Sequence, residues 1–367
     1  MAAGKPEIQF MFGNQPVSAK NAMPGVHPRI NRFLGKTERD RVDRRATSGC
    51  RLSREKAMLC GMAVCLAAAF ILSLMLGRCV ITPRAVMKAL FSGLWPVPEA
   101  GAVPIRTIVL SVRLPRVAAD MLVGAALSAS GAAFQGLFRN PLVSPDILGV
   151  STGAGFGAAL ALLFALDPFG IQAMAFGFGM LAVLTTCFLG ESRLRGGDNG
   201  TLVLILSGMI IGSIFSAGIS LVKFVADPYN ILPAITFWLL GGLASVSAND
   251  VAVSAIPVLV GLTVLYLRRW SLNALAFGDE EAISLGVDVK RVRLEVIAAA
   301  TLMTASAVAI SGVIGMVGLV VPHLVRMVTG PNYKILLPAC ILVGALFFSS
   351  WTIWYEFSSL WRRLWGF

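Results

Sequence analysis

The sequence predicts an all-α protein that crosses a membrane about nine times, on three observations. Of its 367 residues, 56% are hydrophobic, and the mean hydropathy is +0.78. Only 14% are charged, where a soluble domain carries about a quarter. The apolar residues fall in long uninterrupted runs near the ~20 residues that a helix needs to cross a ~30 Å hydrocarbon core. The runs do not alternate polar and apolar, which excludes a β-barrel reading in favour of helices.

Residues 1–56 carry 12 Lys and Arg against 5 Asp and Glu, with scattered Pro and Gly and no periodicity. This predicts a basic, disordered cytoplasmic tail. A basic segment ahead of a first span is explained by membrane orientation, so the net charge of +12 gives no reason to invoke nucleic acid. The nine expected spans are 57–77, 117–138, 147–166, 169–190, 201–222, 251–267, 296–313, 315–328 and 335–355. Residues 231–246 are apolar but short, and predict a half-helix at one membrane face. With the N-terminus inside, 22 Lys and Arg lie on the inner side and 9 on the outer; without the tail the score is 10 against 9. The tail therefore decides the orientation. Two GxxxG pairs, Gly153–Gly157 and Gly208–Gly212, predict close helix packing, because small residues let backbones approach in lipid.

Catalytic machinery is not legible. LGKT at 34–37 has Ile30 where a phosphate-binding loop needs glycine. The two histidines, His27 and His323, are far apart, and the six cysteines show no metal-binding spacing. No catalytic residue, cofactor or metal site is predicted. Asp120 is the one acid inside an expected span, which makes it a functional candidate, an interfacial residue, or a partner for Arg116 one turn away.

The polar stretch FGDEEAISLGVDVKRVR at 277–293 stands between strongly apolar runs. Ala274 to Leu285 can form a short amphipathic helix with Leu275, Ala282 and Leu285 on one face and Asp279, Glu280 and Glu281 on another, punctuated by Gly278 and Gly286. Alone, this reads equally as a solvated connector.

Four stretches together narrow the reading: VRLPR at 112–116 with GAALSASGAAFQGLFRNPLVSPDILGVSTGAGFGAAL at 124–160; LILSGMIIGSIFSAGISL at 204–221 with FWLLGGLASVS at 237–247; LNALAFGDEEAISLGVDVKRVRL at 272–294; and SGVIGMVGLVVPHLVRMVTGPNYKILLPACILVGALF at 311–347. They closely resemble the iron-siderophore and cobalamin importer permeases, the FecCD-type transmembrane subunits of binding-protein-dependent ABC transporters, over about residues 80–347. The resemblance implies a type II ABC importer subunit, a permease domain at 57–348, and no enzymatic activity of its own. It implies cytoplasmic ATP-binding subunits that receive the 275–286 loop, a periplasmic or lipid-anchored substrate-binding protein that meets Arg113 and Arg116, and a second permease subunit, usually an identical copy. It places Gln135, Asn140, Pro141, Pro145, Gly149 and Pro322 along the pathway and its inner gate, where the two prolines of 139–146 force a turn and Pro322 interrupts a helix. The implied location is a bacterial inner membrane, and the implied cargo a ferric siderophore, cobalamin or haem. Anchoring of a helix end at the membrane surface remains an alternative for the two arginines.

The likeness stops after Phe348. The family continues into an acidic outer segment and a tenth span, whereas SSWTIWYEFSSLWRRLWGF at 349–367 does not match. These residues are expected to form an atypical tail, with WRRLW resting at the membrane surface, and a damaged, non-transporting copy is the rival reading. An ion-coupled transporter, needing intramembrane ionisable groups, has only Asp120 to offer.

Overall fold

A computed structural model describes residues 55–77, 81–91, 105–191 and 200–365, with the side chains of 191, 200–201, 359–360 and 362–365 outside the description. The expected tail at 1–54 and the side chains of Arg362 and Arg363 therefore lie outside the described residues. The chain divides into two units, residues 1–57 and 58–367, and the second holds the helical bundle.

The described residues are helical, without strands. Seven helices are long and apolar enough to cross a membrane: α1 (Glu55–Met75), α3 (Ile105–Leu137), α5 (Pro168–Glu191), α6 (Gly200–Val225), α8 (Ala248–Phe277), α10 (Val289–Ser311) and α12 (Tyr333–Trp365). Two of the nine expected spans are shorter, α4 (Val150–Leu163) with 14 residues and α11 (Val317–Thr329) with 13. At ~1.5 Å per residue, helices of this length reach ~20 Å, less than the hydrocarbon thickness. Each follows irregular backbone that supplies further length: a 3-10 turn at Pro145–Leu148 before α4, and the break at Gly312–Met316 before α11. The expected half-helix is α7 (Ile231–Leu240). Sequence reading passed over α2 (Pro83–Leu90), which starts with proline at its first turn and packs Val86 and Ala89 on Leu74, Val109 and Val117.

α3 begins twelve residues before the expected start at 117, because Pro115 does not end it. A proline removes one N–H from the helical ladder, and the helix accommodates it with a π segment at Ile108–Arg113, where the Leu114 N–H donates to the Val109 carbonyl.

α3 and α12 run antiparallel along their whole contact. Tyr333 Oη donates to the Ala132 carbonyl at 2.7 Å at one end. In the middle the backbones meet at glycine: a Cβ on Gly344 would lie 2.3 Å from the Gly124 carbonyl oxygen. At the other end Thr352 Oγ1 donates to Asp120 at 2.8 Å and Arg116 pairs with Glu356 at 3.2 Å. The sequence from 349 to 365 is thus a continuation of α12 rather than a separate tail. Both GxxxG pairs are packing devices. A Cβ on Gly153 or Gly157 would strike the carbonyls of Phe178 or Met174 in α5, and one on Gly208 that of Ile147.

Candidate functional site

α3 has its two ends at opposite ends of the bundle, and each end gathers polar residues. At the end of α3 that carries Gln135, the polar stretch between α8 and α10 folds into a rigid hairpin. α8 stops at Gly278, whose φ of 142° is open to glycine and strained for other residues. A six-residue helix, α9 (Asp279–Ser284), follows. It closes with Gly286 left-handed: the Gly286 N–H donates to Ile283 O at 2.9 Å and the Val287 N–H to Ala282 O at 3.0 Å, the Schellman arrangement. Asp288 then caps α10 by accepting from the Arg291 N–H at 3.1 Å. Every turn of this hairpin is satisfied by its own sequence.

The single amphipathic helix expected over 274–285 is corrected in two respects. Gly278 breaks it, so Leu275 belongs to α8 and Ala282 to α9. Leu275 and Ala282, expected to share a face with Leu285, are buried, but Leu285, the cap residue after α9, is 56% exposed. The three acids also divide. Asp279 is held by Arg293 at 3.0 Å and by Arg139 at 3.6 Å, whereas Glu280 and Glu281 are exposed, the Glu281 carboxylate folding back over Gly278. The free surface of the hairpin therefore combines two carboxylates with exposed Phe277, Ile283 and Leu285.

Arg139 was missed by sequence reading. It occupies a left-handed position, φ 51°, just after α3, where the Asn140 N–H returns to Gln135 O at 3.1 Å. Glycine suits that position better by ~1 kcal/mol. The side chain that glycine lacks is the one that reaches Asp279 and ties the 139–146 turn to the hairpin.

The expected gate residues separate into three groups. Asn140 and Pro141 are exposed on the turn, with Asn140 Oδ1 accepting from the Leu142 N–H at 2.9 Å. Gln135, Pro145 and Pro322 are buried around the start of α11. There Gln135 Nε2 donates to Leu319 O at 3.2 Å, and a Cβ on Gly318 would lie 2.5 Å from the Pro145 ring. Pro322 lacks the N–H that would bond the Gly318 carbonyl four residues back, and that oxygen approaches Gly131 of α3 so closely that a Cβ there would lie 1.7 Å away. Gly149, left-handed with φ 83°, belongs to another seam, against Gly208 and Gly212 of α6. Nearby Asp146 accepts a hydrogen bond from Ser151 Oγ.

At the opposite end, Arg113 and Arg116 do not act as a pair. Arg113 Nη1 donates to the carbonyls of Leu74 at 2.7 Å and Met75 at 3.0 Å, closing the end of α1. Arg116 turns to Glu356 and lines a cavity of about 630 Å³. Asp120, 2% exposed, turns inward onto Thr352 rather than reaching an outer surface, and it contacts the same cavity. The cavity is also lined by Trp351 and Tyr355 of α12, by the Gly241–Gly242 backbone after α7 and by the Gly315–Met316 break. The two breaks meet where α7 and α10 end: the Gly242 N–H donates to Ser311 O at 2.7 Å, and a Cβ on Gly312 would lie 2.3 Å from Trp238 O.

The family comparison decides what this bundle of long apolar helices, broken helices and one acidic hairpin belongs to. The FecCD transport family profile matches residues 65–357. The chain belongs to the FecCD transport family. It is an ABC permease subunit of that family. The molybdate import system permease protein MolB of Haemophilus influenzae is 41% identical over 242 residues, 65% of this chain and 70% of that one. The cobalamin import system permease protein BtuC of Halobacterium salinarum is 40% identical over 252 residues, 68% of this chain and 66% of that one. A solved structure described as an inward-facing conformation of a metal-chelate type ABC transporter aligns with a TM-score of 0.70 at 34% identity, covering 80% of this permease and 89% of that chain. The family match extends beyond Phe348 into the stretch expected to be atypical.

Proposed function

We propose that this permease carries a metal chelate, a ferric siderophore first and cobalamin or haem as alternatives, inward across a bacterial inner membrane. Its energy comes from ATP hydrolysed by separate cytoplasmic subunits, and its cargo from a periplasmic or lipid-anchored binding protein. Two copies of the chain pair around a central path. The N-terminus and the α8–α10 hairpin face the cytoplasm, which puts Arg116 and its cavity on the outer side.

The observation that carries this reading is the hairpin. It is rigid, because both its turns are internally bonded, and its acid at 279 is fastened to two elements, α10 through Arg293 and the 139–146 turn through Arg139. A force applied to Glu280, Glu281 and the exposed apolar residues would thus be delivered to the bundle rather than absorbed in a loop. The names of two relatives, for cobalamin and for metal-chelate transport, support this class of cargo, while the molybdate relative carries an oxyanion.

For the binding-protein contact, Arg116 is the better of the two arginines, since Arg113 is committed to α1. The residues of 349–356 supply Thr352 and Glu356 to Asp120 and Arg116, which supports a working α12 over a damaged copy. The test is co-purification with a cytoplasmic ATPase subunit of a FecCD-type importer. Glu281→Arg is expected to remove a stable complex in mild detergent while leaving the permease folded; an undiminished complex would sink the coupling role.

A further inference from the structure

The corner where α8 ends and α10 begins concentrates positive charge. Of the 10 Lys and Arg that the sequence puts on the hairpin's side outside the tail, five are Arg268, Arg269, Lys290, Arg291 and Arg293. Membrane orientation needs charge on that side but not gathered in one place. Arg293 is committed to Asp279. Arg268 and Arg291 share one carboxylate: Arg268 Nη2 donates to Glu295 Oε1 at 2.9 Å, and Arg291 Nε to the same oxygen at 3.0 Å. This joins α8 to α10 and leaves two guanidinium groups on a single carboxylate. Asp288 is the other acid here, and it accepts from the Arg291 N–H at the start of α10. Arg269 and Lys290 stand in no ion pair among the described residues. Arg269 lies over the Tyr266 ring, 4.0 Å from its centre, a contact that places the cation without neutralising it. Four cations therefore meet two carboxylates. The surface beside them is apolar. Ile256, Val260, Leu267 and Trp270 are all exposed, and their spacing of 4, 7 and 3 residues makes one outward stripe along α8. The stripe ends at Trp270, in the turn that carries Arg268 and Arg269. On α10, Leu294 is exposed one turn from Arg291.

We propose that this corner binds an anionic phospholipid of the surrounding bilayer, its headgroup drawn by the excess charge of Arg269, Lys290 and Arg291 and its acyl chains lying against Leu267 and Trp270. An outward apolar stripe is the surface that a membrane protein gives to acyl chains, and tryptophan sits at the headgroup level. Cations at the end of such a stripe reach the phosphate plane with their stems on apolar surface. A soluble partner seated here would have to cover Leu267 and Trp270, which continue the stripe; one lipid covers the charge and the stripe together. The site concerns neither cargo nor ATP, and it holds whichever way the chain is oriented.

The experiment uses the full-length permease in nanodiscs of phosphatidylcholine with a minor fraction of phosphatidylglycerol, the same on both faces. Bromine, which quenches tryptophan on contact, is placed on the acyl chains of the phosphatidylglycerol in one set and on an equal amount of the phosphatidylcholine in the other. Trp270→Phe is measured in parallel, so that the difference isolates Trp270. The expected result is Trp270-dependent quenching at least roughly threefold greater from the phosphatidylglycerol, weakening as salt is raised. Arg269→Gln with Lys290→Gln is expected to bring the two lipids to parity, because it removes the two cations outside ion pairs and leaves the Arg268–Glu295–Arg291 link in place. Arg269→Lys with Lys290→Arg keeps the charge and should keep the preference, which separates a lost site from a misfolded corner. Equal quenching by the two lipids in the parent would overturn the proposal, as would a preference that survives the double Gln variant or is lost equally in the charge-conserving one. The cytoplasmic ATPase subunit is tested against the same variants. A complex lost on the double Gln change, with the lipid preference intact, would assign the corner to a protein partner and overturn the lipid site.

Discussion

α3 and α6 are both long membrane-crossing helices, yet they do opposite things with their surfaces. In α3, 83% of the most apolar stretch is buried inside the protein; in α6 the share is 22%. The buried helix is the less apolar of the two. Its sequence, GAALSASGAAFQGL through 124–137, is built from Gly, Ala and Ser, whereas α6 presents Leu206, Ile210, Ile214 and Leu221 outward. In water the greasier face goes inside. In lipid the hydrocarbon receives Leu and Ile as well as a protein core does, so burial is awarded to the surface that packs closest and to the polar groups that find partners. α10 repeats the pattern with 78% burial, and α1 the opposite with 17%.

Gly131→Ala is the largest break to that contrast. Its Cβ would lie 1.7 Å from the Gly318 carbonyl, a backbone atom that cannot step aside. A loss of about 3 kcal/mol or more is expected, read as a lowered unfolding midpoint in detergent. Next is Glu356→Ala, which leaves Arg116 half-buried beside the cavity without the Glu356 carboxylate. About 2 kcal/mol is expected, and restoration by Glu356→Asp to a smaller deficit would separate charge from packing. Arg113→Ala, which strips the donors from Leu74 and Met75, should cost about 1.5 kcal/mol while leaving binding-protein affinity unchanged in reconstituted discs. A weakened affinity at unchanged stability would return Arg113 to the docking surface. The smallest effect sharpens the comparison from the other side. Gly177→Ala in α5 meets nothing within 4 Å, and should raise stability by about 0.5 kcal/mol through helix propensity alone.

The same contrast explains what could be read in advance. Run length found the long helices, since it depends only on consecutive residues. The hairpin's place was legible too, as a polar stretch between two apolar runs, but a use beyond a solvated connector came only from the family resemblance. Leu285 was misplaced because the single helix it was read into breaks at Gly278 and ends at Ser284, so its register with Leu275 is lost. Arg113 and Arg116 were read as a pair from their spacing, but the π segment ahead of Pro115 and the separate partners, α1 carbonyls for one and Glu356 for the other, divide them. Thr352 and Glu356 gave no signal at all. They stand in the stretch where sequence reading saw no likeness to the family, and their partners lie 232 and 240 residues away.

The sequence by itself determined that this chain is helical, that it is dissolved in lipid, which family it resembles, and where along it the acidic hairpin lies, because each of these depends on residues that are neighbours along the chain. The tertiary structure alone decided which faces became the interior, which arginine lines the cavity, and what neutralises it. Those outcomes depend on the register between α3 and α12, and in lipid no difference in hydrophobicity selects that register. It is set by where glycines allow two backbones to touch and by which polar groups then come within hydrogen-bonding reach.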